Sequence, residues 1–140
     1  MSTAWSGEKP AAHLQTFLAF DFGPRRTGVA IGSRLRGAAQ PERSIATQDG
    51  TERLQQVAQR IRAWQPDALV VGVPTHPDGA VHENTRRAQR FARQLQGRFG
   101  LPVFTVDERY STAEARQAGA SDLDAEAACI ILEQFLRSLA

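Results

Sequence analysis

The chain has little of several things, and each shortage narrows what it can be. One cysteine, Cys129, stands alone in 140 residues, so no internal disulfide can form, which suits a reducing compartment. The three histidines, His13, His76 and His82, are scattered and offer no zinc spacing with that cysteine. The longest apolar stretches, such as residues 68–73, are far too short to span a bilayer. No charged segment followed by an apolar core opens the sequence, so no secretion signal is expected and the cytoplasm is the default location. Nothing resembling G-x-S-x-G marks a serine nucleophile. Lysine is nearly absent too. Of the 17 basic residues only Lys9 is not arginine, and the net charge is just +2. Arginine presents a planar fork that fits phosphate geometry, although a GC-rich genome would give the same bias.

What is present reads as one α/β domain. Residues 1–15 mix small and polar residues without periodicity and are expected to form a flexible tail; residues 16–140 carry the domain. Residues 16–22 and 27–33 are apolar runs joined by Gly23-Pro24-Arg25-Arg26, the pattern of a hairpin. A third extended segment, residues 38–47, contains Pro41, which argues for an edge or a bulge. Asp49 and Glu52 have capping-box spacing, and Leu54, Val57, Ala58 and Ile61 then form a helical stripe that Pro66 closes. Residues 68–73 read as a strand covered on both faces. A second helix begins near residues 83–85, with Ala88, Phe91, Ala92 and Leu95 on one face, and ends at Gly97 and Gly100. Residues 102–107 form another strand, Ser111 with Glu114 caps a brief helix, and the last helix covers residues 122–139. Three meandering strands followed by alternating helices and strands imply a mixed five-stranded sheet of order 3-2-1-4-5, flanked by helices in three layers.

Three acids draw attention. Asp21 lies near the end of an apolar strand between Phe20 and Phe22, and alternation points it away from those rings; a carboxylate there is costly unless a cation compensates it. A plainer role is to cap the turn at Gly23. Asp107 and Glu108 emerge as the fifth strand ends, the edge where ligands collect in open α/β sheets, and spacing does not choose between them. Asp124 heads the stripe Ala127, Ala128, Ile131, Leu132 and Phe135, so it faces the protein; favourable interaction with the helix dipole is its plainer role. Three converging acids call for a cation, and Mg2+ or Mn2+ prefers such hard oxygen ligands. Two such ions about 4 Å apart can drive an in-line phosphoryl displacement.

The motifs Asp21-Phe22-Gly23-Pro24-Arg25-Arg26-Thr27-Gly28-Val29-Ala30, Val71-Gly72-Val73-Pro74 with Asp78-Gly79, Asp107-Glu108-Arg109-Tyr110-Ser111-Thr112, and Leu123-Asp124 with Ala127-Ala128 and Ile131-Leu132 resemble the YqgF family, also called RuvX. These are bacterial Holliday junction resolvases that are also linked to pre-16S rRNA processing. The resemblance implies an RNase H-like fold and a metal-dependent nuclease whose catalytic and metal-binding acids are Asp21, Glu108 rather than Asp107, and Asp124. Thr27, Ser33 and the Tyr110-Ser111 pair depart from the usual pattern, and the segment between Thr112 and Asp124 is shorter than in relatives.

Arginines complete the expected phosphate site: Arg25 and Arg26 in the turn after Asp21, Arg109 after Glu108, and Arg86 and Arg87 on the second helix, where Arg90 and Arg93 extend a basic face. That face also suits an ordinary solvated surface. The partner implied is nucleic acid, either branched DNA or structured precursor rRNA, with no membrane; symmetric junction resolution would favour a homodimer. The alternative keeps the fold without the chemistry, as a nucleic-acid- or ribosome-binding factor. An actin-like ATPase, suggested by Asp21-Phe22-Gly23, needs a second domain for which 140 residues leave no room.

Overall fold

The computed structural model describes residues 10–74, 82–108 and 123–139, the last residue of the second segment by its backbone only. Five strands, β1 (Thr16–Asp21), β2 (Arg26–Ser33), β3 (Ala39–Ala46), β4 (Ala68–Pro74) and β5 (Val103–Glu108), form one sheet of order β3-β2-β1-β4-β5. β1 pairs antiparallel with β2 and parallel with β4, and β4 pairs parallel with β5. The helices are α1 (Gly50–Trp64), α2 (Glu83–Phe99) and α3 (Leu123–Ser138).

Strand alternation sorts the core into two layers. Phe17 and Ala19 of β1, Ala30 of β2, Ala68 and Val70 of β4 and Val106 of β5 pack against Ala128, Ile131, Leu132 and Phe135 of α3. Leu18, Phe20, Val29, Ile45, Leu69 and Val71 face Val57 of α1 and Phe91, Ala92 and Leu95 of α2 on the other side. Phe17 meets Phe135 edge to face at 5.1 Å, and Phe20 meets Phe91 likewise at 5.8 Å, a geometry the ring quadrupole favours. Burying each such ring contributes about 1.5–3 kcal/mol.

Local chemistry explains the boundaries. The Asp49 side chain accepts the amides of Thr51 and Glu52 at the start of α1. Glu52 does not reach back to Asp49 as a full capping box would. Instead the Asp49 amide donates to the Thr47 hydroxyl, which donates to Glu52. The α1 helix stops at Gln65, a non-glycine residue at φ 49° whose amide bonds Ile61. Gly100, at φ 68°, ends α2; Gly97, expected to help end it, lies inside the helix. Pro41 sits on the edge strand, as its missing N–H allows. The bulge falls elsewhere: Thr27 pairs with Ile45 and Val29 with Glu42, so Arg43 and Ser44 together oppose Gly28. The packed part of the chain reaches back to Pro10. Leu14 is buried, and the Arg34 guanidinium donates to the carbonyls of Pro10, Ala11 and Leu14.

Cys129 is buried in α3. Burial, with Glu126, Glu133 and Glu42 nearby, pushes its thiol up to about 12, so it stays protonated and unreactive. Among the described residues no helix is long and apolar enough to cross a membrane. The expected short helix around Ser111 and Glu114 lies outside the described residues.

Candidate active site

Asp21 is the last residue of β1, on the alternation of Phe17 and Ala19, and so on the α3 side of the sheet. Its partners across the sheet are Gly28 of β2 and Gly72 of β4. Gly72 in turn pairs with Val106 of β5. The acid is therefore flanked on both neighbouring strands by residues that project no side chain. The β2–β3 bulge begins in this same row, a device that recurs next to active sites.

Gly28 does more than leave room. A Cβ there would collide with the carbonyl of Asp124, so the bare backbone of β2 is what allows the first turn of α3 to settle on the sheet. Gly32, two alternations on, likewise meets the Leu132 side chain. Asp21 and the backbone of Asp124 thus neighbour one glycine, although they lie 103 positions apart in the chain. The Asp124 carboxylate accepts from Arg26 Nε at 2.9 Å, with both side chains more than a third exposed. Arg26 shares its alternation with Gly28, which explains how it reaches α3. The sequence expects Arg26 at substrate phosphate; its Nε also reaches the acid, a pairing 98 residues long in sequence that no local pattern announces.

β5 ends at Glu108, paired with Pro74 of β4. Phe104 and Val106 pack on the α3 layer, while Asp107, on the other alternation, is exposed. Position 108 has the alternation of Val106, which supports Glu108 over Asp107; its side chain lies outside the described residues. Arg109 lies outside them as well. Arg25 is exposed in the turn, and its carbonyl accepts the Thr47 amide at 3.0 Å. Arg86 and Arg87 are exposed in the first turn of α2, where Glu83 pairs with Arg87 at 3.2 Å and approaches Arg86 at 4.0 Å. Thr85 fastens that turn to the end of β4 by donating to the Pro74 carbonyl at 2.8 Å. The parallel strands β1, β4 and β5 all end at this edge, so the acids and the arginines of α2 share it.

Among the described residues no three His, Cys, Asp or Glu side chains gather closely enough to hold a metal ion; two of the three expected acids contribute side chains to that set. The donor chemistry suits a hard divalent cation, since each candidate ligand is a carboxylate. Thr27, a departure from the family pattern, is fully buried and donates its hydroxyl to the Gly23 carbonyl at 3.4 Å. Sequence reasoning missed Arg53, which is buried beneath the turn that follows Asp21. The signal was there: Arg53 stands four residues before Val57, on the inward stripe of α1.

The sheet order and the placement of the helices define an RNase H-like domain. Its fold matches the structure titled "T. thermophilus RuvC in complex with Holliday junction substrate" at a TM-score of 0.50 and 16% identity, over 88% of this chain and 95% of that one. A second RuvC structure from Thermus thermophilus also matches at 0.50, with 14% identity. At the level of sequence, the family model described as "RuvX: Holliday junction resolvase" matches residues 15–138. A protein of Albidiferax ferrireducens named "Putative pre-16S rRNA nuclease" is 64% identical over 142 residues, 99% of this chain and 90% of its own length. One from Polaromonas sp. with the same name is 68% identical over 128 residues, covering 91% and 92%. The chain belongs to the RuvX family.

Proposed function

We propose that this chain is a cytoplasmic, metal-dependent nuclease that hydrolyses phosphodiester bonds in structured nucleic acid, with precursor 16S rRNA as its substrate. The observation that carries the reading is the seating of Asp124 against Gly28, whose register partner is Asp21. Packing alone does not require two acids 103 positions apart to neighbour the same glycine at a strand end. A site for a divalent cation draws on such a placement.

In this reading Asp21, Glu108 and Asp124 hold Mg2+ or Mn2+. Ions held by these carboxylates would supply an activated water and charge stabilisation for the leaving oxygen of an in-line displacement. The chain's own groups do the rest. Arg26 holds the Asp124 carboxylate at the head of α3 through its Nε. Arg25, exposed beside Asp21, and Arg86 and Arg87 at the same sheet edge bind phosphates of the substrate; Arg109, directly after Glu108, is assigned the same role. Exposed Arg90 and Arg93 continue that basic face along α2. The names of the highly identical relatives favour precursor rRNA. The family's description favours a four-way DNA junction, for which a homodimer would be needed to cut symmetrically.

The test is a side-by-side cleavage assay on precursor 16S rRNA, single-stranded RNA and a four-way junction, with Mg2+, with Mn2+ and with chelator. Metal-dependent cutting of precursor rRNA that is lost in Asp21→Asn is expected. Cutting of the junction alone would move the substrate to DNA. Binding without cleavage at any metal concentration would identify a non-catalytic nucleic-acid- or ribosome-binding factor.

A further inference from the structure

Arg53 is 6% exposed, an unusual place for a guanidinium to which no acid is bound among the described residues. Its Nη2 donates to two backbone carbonyls, Pro24 at 2.8 Å and Thr47 at 2.9 Å. Its guanidinium carbon lies 4.9 Å from the centre of the Phe22 ring, which also packs on Phe91 of α2 at 5.1 Å. Its Nε is buried with no hydrogen-bond partner. Burial pulls its pKa down from the ordinary arginine value, with only Asp49 opposing. A buried cation held by neutral carbonyls is an expensive way to fill a core; a methionine would fill much of the same volume without that cost.

The contacts show what the arrangement achieves. Phe22 and Pro24 belong to the turn between Asp21 and Arg26. Thr47 is the residue whose amide bonds the Arg25 carbonyl at 3.0 Å. One side chain therefore grips both banks of the turn. Thr27 adds its hydroxyl to Gly23 from within, and a Cβ on Gly23 would run into the Arg26 carbonyl. The tightness of the turn and its anchor on α1 are separate features, and they act on the same five residues.

We propose that Arg53 is a positioning residue that locks the Phe22–Arg26 turn, and through it sets Asp21 and presents Arg25 to substrate phosphate. The inference rests on the nuclease reading for the identity of the substrate, whereas the tether itself does not. The planar fork lets one guanidinium reach two carbonyls while lying on a ring, which a lysine ammonium cannot reproduce.

The experiment uses the full chain as wild type, Arg53→Met and Arg53→Lys. Amide exchange at Thr47 reads the tether, and fluorescence anisotropy at fixed salt reads binding of a labelled precursor-rRNA stem and a labelled four-way junction. In Arg53→Met the bonds to Pro24 and Thr47 are lost together, and exchange of the Thr47 amide, which bonds the Arg25 carbonyl beside them, is expected to rise about tenfold or more. Exchange at Val57 should stay unchanged, and the bound probe should dissociate at a Kd raised by about tenfold or more. Arg53→Lys should fall between. If Arg53→Met does not fold, Arg53→Lys must fold and show the local loosening alone; global unfolding of both variants overturns the positioning role, as does wild-type exchange with wild-type affinity. Should the wild type bind neither probe, the nuclease reading fails by itself and Thr47 exchange still decides whether the tether exists.

Discussion

Gly28 carries no side chain because the Asp124 carbonyl occupies the place where one would stand. The obstacle is backbone on both sides, so it cannot be relieved by turning a rotamer. Gly28→Ala must therefore lift the first turn of α3 from β2. Overpacking of this kind costs roughly 1–3 kcal/mol, and here the displacement falls on a candidate ligand. Denaturant unfolding should show that loss, and cleavage of precursor rRNA should drop by about a hundredfold, the penalty of an ångström-scale misplacement. Wild-type turnover in Gly28→Ala would separate Asp124 from the chemistry.

Gly97 supplies the contrast. It lies exposed inside α2, and a Cβ there would meet nothing within 4 Å. Glycine in a helix interior is weaker than alanine by about 0.5–1 kcal/mol. Gly97→Ala should raise stability by that amount in thermal or denaturant unfolding. A loss of stability would mean that something approaches this face of α2 closely.

The difference between these glycines could not be seen in the sequence, and the reason is general to this chain. Periodicity is local, so it located the strands and the stripes of all three helices and put Asp21 opposite Phe20 and Phe22, and the succession of those elements gave the sheet order. The Asp49 cap was legible because its partners are two and three residues away. Contacts between distant segments were not. Nothing near Gly28 signals Asp124, and nothing near Arg26 signals an acid 98 positions later. Glu108 was chosen over Asp107 by family resemblance; only the packing of Phe104 and Val106 on α3 gives a physical reason. Arg53 escaped because the stripe was traced through apolar residues alone, whereas burial also takes in this arginine. Gln65 escaped because a left-handed cap is usually read from glycine or asparagine.

The Arg26–Asp124 pair predicts a separation of stability from activity. Both groups are more than a third exposed, and such pairs are worth only about 0.2–1 kcal/mol. Asp124→Asn should thus unfold within about 1 kcal/mol of wild type while losing cleavage. Arg26→Gln should be equally mild in unfolding. A large fall in stability for Asp124→Asn would make the acid a structural element of the helix start and remove it from the proposed metal site.

Cys129 makes the alkaline limb of stability predictable. Burial holds its thiol near 12 in the folded protein, against 9.0 for the free group. As pH rises above 9, the unfolded chain gives up this proton while the folded chain keeps it. Unfolding then releases a proton, and stability falls as pH increases. The window runs from about 9 to about 12, with a limiting slope of about 1.4 kcal/mol per pH unit for one proton. Cys129→Ala lacks the group, so any advantage of wild type over this variant should shrink steadily as unfolding is repeated from pH 8 to pH 10.5. A constant difference across that range would show that the thiol ionises in place, against the burial seen in α3. The same burial predicts that iodoacetamide modifies Cys129 through global unfolding, and mass spectrometry at increasing denaturant should show labelling that tracks the unfolded fraction.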